Sequence, residues 1–309
     1  MEQEDILHSE QKRRIIMQLR HRKELRLYRW LIVFGALGVL ILLRRPPSVP
    51  SLESLTAAYQ GRSDIAMLLW TVYFVLSLFS GISAVFMLLI TTLVRLYRYY
   101  AGLLSYSIRV SEKNFPEIYA KVQEYTALLG LKKEPEVYVR QMNGQVNAWA
   151  CWIPGKTFIQ LNAEIVDLAY MENRDFDTVF FIMAHEFGHI CLHHVQLQYV
   201  FWPSLGNFFP VIGPLLSYAW QRAREYSADR VAQVLTDDQT SVPAMMMLSA
   251  GRHAYKYMDA EDYLSHITAR QGPLVRFFRW CVNFFSTHPI FPYRVAAILD
   301  PQKRSGRLV

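Results

Sequence analysis

Cysteine is scarce in this chain of 309 residues: Cys151, Cys191 and Cys281 are far apart and odd in number. No CxxC pair occurs, which argues against a disulfide framework and a cysteine-type zinc site. We read all three as reduced thiols, with Cys191 a packing residue. Internal repeats and low-complexity segments are absent too. Charge is thin at 19% of residues, against 52% apolar, a balance that points to membrane segments. The net charge of +7 has no nucleic-acid-reading motif beside it, so no nucleic acid partner is expected.

What charge there is gathers at the start. Lys12, Arg13, Arg14, Arg20, Arg22, Lys23, Arg26 and Arg29 crowd residues 1–29, a basic segment that leads straight into an apolar run. Trp30 to Leu43 reads as a first transmembrane helix, extended by Leu25, Leu27 and Tyr28 and by snorkelling of Arg29 and Arg44. Residues 44–64 form a connector, opened by the helix-breaking Arg44-Arg-Pro-Pro-Ser-Val-Pro50. Ile65 to Val94 then holds 30 residues without a charge. As a helix it would be about 45 Å long, beyond the ~30 Å hydrocarbon core, and it reads as the second span of the region 30–94. The distribution of Lys and Arg places both chain ends in the cytoplasm and the connector outside.

Residues 95–300 read as a globular domain, followed by a basic tail, 301–309. Helices are expected from Asn114 to about Leu129, after Asn162, over 222–235, 238–250 and 261–270, and at Tyr293–Leu299. Strands are expected at Glu136–Arg140, Val146–Ala150 and Lys156–Leu161, around a Pro154-Gly155 turn. Residues 195–220 carry no charge but contain Pro203, Gly206, Pro210, Gly213 and Pro214. A single crossing would put the rest of the chain on the wrong side. The stretch therefore reads as a hairpin or loop that lies on or dips into the bilayer. Pro273–Phe285 mixes aromatics with Arg276 and Arg279 and fits a membrane-interface helix or a core helix equally.

The chemistry centres on His185-Glu186-Phe187-Gly188-His189, an HExxH in an apolar run that opens after Asp175, the expected N-cap. Histidines four apart share a helix face and can grip one metal ion, while Glu186 can reach a water that the metal holds. A catalytic zinc needs a third protein ligand. His193 and His194 miss the register of HExxHxxGxxH. Glu225, in Arg224-Glu-Tyr-Ser-Ala-Asp-Arg230, is placed to arrive from a second helix. Asp229, one turn on, is positioned to fix a histidine tautomer. Taken without the HExxH, both acids would read as a solvated helix face. Glu186 would take a proton from water and pass it to the leaving amine. His288 or Arg294, in Ser286-Thr-His-Pro-Ile-Phe-Pro-Tyr-Arg294, would steady the oxyanion.

HExxH, then Glu-Tyr-Ser-Ala-Asp-Arg, then Ser-Thr-His-Pro with an arginine six residues past the histidine, resembles the HtpX/CAAX-prenyl-protease family of integral membrane zinc metalloproteases. Val146-Asn-Ala-Trp-Ala150 is similar to that family's Asn-Ala strand. The resemblance covers about residues 110 to 300. It implies an α+β, mostly helical zincin-like metalloprotease domain of gluzincin type, with a small sheet, preceded by two transmembrane helices. It implies one Zn2+ per chain on His185, His189 and Glu225, Glu186 as base, and Asp229 behind the metal. It implies an extended polypeptide substrate paired with the strand at Asn147 and Ala148, and His288 and Arg294 at the substrate carbonyl or supporting the site. The expected protein is a membrane-anchored endopeptidase with its active site cytoplasmic, at the inner or plasma membrane if bacterial, acting on membrane or membrane-proximal proteins. Only 35 residues separate His189 from Glu225, too few for the two further spans of HtpX-like members. The alternative is a retired protease fold serving as a membrane binding or adaptor protein; no motif residue is damaged.

Overall fold

The computed structural model describes residues 15–44, 51–58, 63–171, 176–206, 209, 211–251, 254–268 and 271–300. Its first half runs α1 (Glu24–Arg44), α2 (Leu52–Ala58), α3 (Ser63–Tyr106), β1 (Ile108–Arg109), α4 (Pro116–Leu128), β2 (Glu136–Arg140), β3 (Ala148–Ile153), β4 (Lys156–Asn162) and α5 (Ala163–Met171). The second half runs α6 (Asp177–Cys191), α7 (Leu197–Gly206), α8 (Ile212–Leu235), α9 (Asp238–Ala250), α10 (Ala260–Thr268), α11 (Pro273–Phe284) and α12 (Phe291–Leu299). The protein is mostly helical with one small sheet, an α+β arrangement.

The sheet has the order β1-β2-β4-β3. β2 and β4 are parallel, whereas β3 and β4 form an antiparallel hairpin. Pro154 and Gly155 turn that hairpin, with Gly155 at φ 85°, the left-handed value such a turn needs at its second centre. β4 is buried on both faces along Phe158 to Asn162, because one face meets the C-terminal part of α3 and the other meets the core around α6. β3 is left at the sheet edge beside α6.

α6 is largely apolar and is buried from Thr178 to Gly188 almost without a break, as a helix enclosed by its domain is. α8 crosses it closely. A Cβ on Gly188 would lie 3.0 Å from the Ala228 Cα and 3.1 Å from its carbonyl oxygen. Glycine is therefore needed there for backbone approach, and the approach brings Glu225 alongside the two histidines.

α1 lies against α7 and α8. Leu31 is fully buried, and Tyr28 stacks on Tyr199 at 4.4 Å and on Trp220 at 5.6 Å. Residues 195–220 are thus neither a loop nor a single span. They form α7, a short connection and the start of α8, with Pro203 inside α7. Proline in a helix interior costs about 3 kcal/mol, and packing on α1 offsets it: a Cβ on Gly35 would sit 3.1 Å from the Trp202 ring.

Among the described residues no helix is long and apolar enough to cross a membrane. The two expected spans are not supported on this ground. α1 carries Glu24, Arg26 and Arg29 in its first six residues, which leaves only the short run from Trp30 to Leu43. In α3 the charge-free run is interrupted at 77, 78, 80, 81, 82 and 84 by positions whose side chains lie outside the described residues. Outside them too fall residues 1–14, positions 45–50 of the connector, Asp175 and the tail 301–309. The cap position of α6 is Phe176, with no side-chain cap bond. Likewise α4 is preceded by Phe115 at φ 62°, rather than capped by the Asn114 side chain.

Candidate metal centre

His185 and His189 project from successive turns of α6, and their Nε2 atoms stand 3.1 Å apart. The Glu225 carboxylate from α8 faces both, Oε2 at 3.5 Å from His185 Nε2 and Oε1 at 3.4 Å from His189 Nε2. Ligand atoms of all three lie within 4.8 Å of one another, a grouping that can hold a metal ion. They line a pocket of about 280 Å³ together with Asn147, Ala150, Glu186 and His288.

The outer ring nitrogens settle whether the donor set suits a cation. His185 Nδ1 is 2.8 Å from Asp229 Oδ1. A carboxylate only accepts, so Nδ1 carries a proton, and in the neutral ring Nε2 presents a lone pair. His189 Nδ1 is 2.9 Å from His194 Nδ1, and His194 Nε2 is 3.0 Å from Glu24 Oε1. His194 must give its proton to Glu24. Its Nδ1 then accepts from His189, and His189 Nε2 is also left with its lone pair inward. Two imidazole lone pairs and a carboxylate thus converge, which is the donor set that zinc takes.

The electrostatics agree. Burial disfavours charge on His185, yet the hydrogen bonds to Asp229 and Glu225 outweigh it and raise its pKa to about 10. The pocket thus favours a positive charge at His185, in the form of a proton on Nε2 that a bound cation would displace. Burial opposes ionisation of Glu225, but the two histidines hold it well below the usual carboxylate range. Asp229, likewise buried, is held down by the Arg294 guanidinium and then by His185. Burial, helped by the nearby Arg224 and His189, pushes the His194 pKa down to about 3 against the pull of Glu24, consistent with a neutral ring in the chain of hydrogen bonds.

Arg294, from α12, donates through Nε to Asp229 Oδ2 at 2.8 Å and through its terminal nitrogen to Oδ1 at 2.6 Å. The same terminal nitrogen is 3.7 Å from Glu225. Its place is therefore behind the candidate metal ligands. His288 is exposed, with Nε2 3.7 Å from Glu225. The Glu186 carboxylate accepts from the Ala150 amide on β3. Asn147 stands just before β3, where its side chain accepts from the Ala148 amide at 2.9 Å. Cys191 is buried and bonded to the Gly188 carbonyl at 3.4 Å, as packing requires.

Two participants were missed in the sequence. His194 fails the ligand register but stands directly behind a ligand. Glu24, fully buried, also contacts Arg20 and Ser227. Burial works against its charge, but His194 and Arg20 bring its pKa down to about 2. One signal was available: Glu24 is the lone acid between Lys12 and Arg29.

The comparisons with known proteins point the same way. Plastoglobule-localized metallopeptidase 48, chloroplastic, of Arabidopsis thaliana is 28% identical over 215 residues, which cover 64% of this chain and 60% of that protein. The alignment thus takes in less than two thirds of that relative's length. No solved structure matches. Residues 112–302 match Peptidase family M48, a stretch that holds every ligand candidate on α6 and α8 but not Glu24. With that match extending over more than half its length, the chain belongs to Peptidase family M48.

Proposed function

We propose that this protein is a zinc-dependent endopeptidase that cleaves extended polypeptide segments beside a lipid surface. Family membership supports a metallopeptidase. The observation that carries the finer reading is the convergence of two histidine lone pairs and Glu225 in a pocket walled by an edge strand.

His185, His189 and Glu225 would hold the zinc, which supplies Lewis acidity to polarise a carbonyl and acidify a water. Asp229 and His194 keep the two histidines in the ligating tautomer, and Arg294 holds Asp229. Glu186 accepts a proton from the attacking water and delivers it to the leaving amine nitrogen. His288, exposed at the pocket, donates to the oxygen on which charge develops. The substrate adds as a strand along β3, with Asn147 and Ala148 at its start. Its carbonyl takes over the Ala150 amide, and this frees the Glu186 carboxylate for the proton transfer.

The lipid surface rests on a coarser argument than two spans. α3 exposes Met67, Leu68, Phe79, Phe86 and Met87 along its length, and clustered exposed apolar residues mark interaction or membrane surfaces. The plant relative's name places that protein at plastoglobules. Digestion of an unfolded protein such as casein tests the activity. We expect cleavage to stop with a chelator and to return with zinc. Cleavage indifferent to chelation, or hydrolysis of esters without peptides, would overturn the proposal.

A further inference from the structure

α11 has its polarity reversed. Arg276, Arg279 and Asn283 are spaced i, i+3, i+7 and so share one face. Its C-terminal part leans on the protein, while Arg276 is exposed. Asn283 is fully buried, its side-chain oxygen accepting from the Ile290 amide at 3.2 Å, and Arg279 is half-buried, donating to Gln271 at 2.9 Å. From α8, the fully buried Arg222 clamps the end of the helix, donating to the Phe284 and Ser286 carbonyls at 2.8 and 2.7 Å. The rest of the circumference is apolar and turned outward. Leu274, Val275, Phe277, Phe278, Val282 and Phe285 are each 54–67% exposed. A helix in water buries its apolar stripe, and this one presents it.

We propose that α11 is an in-plane membrane helix that seats the metal pocket against an anionic lipid surface. Charge identifies the occupant. No Asp or Glu occurs between Asp262 and Asp300, while α11 itself carries Arg276, which is exposed, and Arg279. A basic stretch with an aromatic outward face suits the boundary between headgroups and acyl chains of an acidic bilayer. A second copy of this chain would set the same basic, acid-free segment against itself. His288 follows α11 after three residues and lines the pocket, so a peptide at the bilayer surface would lie within reach of the site. The inference rests on the lipid-surface part of the proposed function and not on the peptidase chemistry.

The test uses the full chain with an environment-sensitive fluorescent amino acid at Phe278, or at the exposed Lys133 as control. The probe is a vesicle of phosphatidylcholine with phosphatidylglycerol, carrying spin-labelled lipid. The expected result is that the chain floats with the vesicles and that the label at 278 is quenched severalfold more than the label at 133. Arg276→Glu should weaken vesicle affinity at least fivefold, read as the lipid concentration for half-maximal quenching, since each cation near such a surface contributes about a fivefold factor. A chain that floats while position 278 stays as open to aqueous iodide as 133 overturns this inference and leaves the lipid-surface reading standing. A chain that does not float overturns both. A label shielded without vesicles, in a species of doubled mass, shows that a second copy covers α11 and also overturns it.

Discussion

His185 and His189 sit on the same helix but take their orientation from different parts of the chain. Asp229 fixes the first from α8, whereas the second is fixed through His194 by a glutamate more than 160 residues upstream. Supporting partners of metal ligands typically contribute 10–100-fold in affinity. Glu24→Ala should therefore weaken zinc binding by about that factor in a chelator competition. Glu24→Gln, which keeps an acceptor for the His194 proton, should recover most of the loss. Equal losses in both variants would mean that Glu24 serves only as a buried ion-pair partner. Asp229→Asn keeps an acceptor for His185 but deprives the buried Arg294 of its carboxylate. We expect a cost of about 3–5 kcal/mol in denaturant unfolding, the usual result of stranding a buried charge.

Between elements, the decisive contact is the crossing of α6 and α8 at Gly188 and Ala228. Gly188→Ala drives a methyl group into backbone atoms that cannot rotate away. It should cost about 1–3 kcal/mol and lower zinc affinity as Glu225 is pushed from the histidines. Gly102→Ala on α3, with nothing within 4 Å of the added carbon, should instead be neutral or stabilise by about 0.5–1 kcal/mol. Parallel melts of the two variants check both. The elements themselves were largely legible where a local rule operates. Alternation in Glu136–Arg140 marks β2 to the residue, and HExxH with the later Glu225 and Asp229 marks which helices carry ligand-type side chains. Legibility failed where tertiary contact decides. Prolines and glycines in 195–220 argue for broken chain, yet packing on α1 sustains α7 through Pro203. Nothing local in α11 says which face turns outward, because burial of Asn283 depends on Ile290 and Arg222. Glu24 and His194 escaped for the same reason: the pairing spans most of the chain.

At the scale of the whole molecule, the sequence puts charge at one end and long apolar runs after it, and two spans follow from that pattern alone. The structure instead uses α1 as a structural partner: its first turn carries Glu24, which supports the metal helix, and its middle packs on α7 and α8. The described residues contain no helix fit to cross a membrane. What survives is a surface with exposed apolar residues on α3 and α11. Metal and fold are coupled across this assembly, because the ligands come from two helices that only the folded state brings together. Zinc at a thousandfold excess over its Kd should add about 4 kcal/mol of stability. Chelation should lower the melting temperature, and add-back should restore it. A melting temperature unmoved by chelator would argue that the site holds no metal.

The central claim is that these residues form a working peptidase centre with Glu186 as its base. Parallel zinc content and peptide hydrolysis in the wild type, Glu186→Gln and His185→Ala test it most directly. The account predicts one zinc per chain in the first two, hydrolysis in the wild type only, and neither in His185→Ala. Undiminished hydrolysis by Glu186→Gln would contradict it.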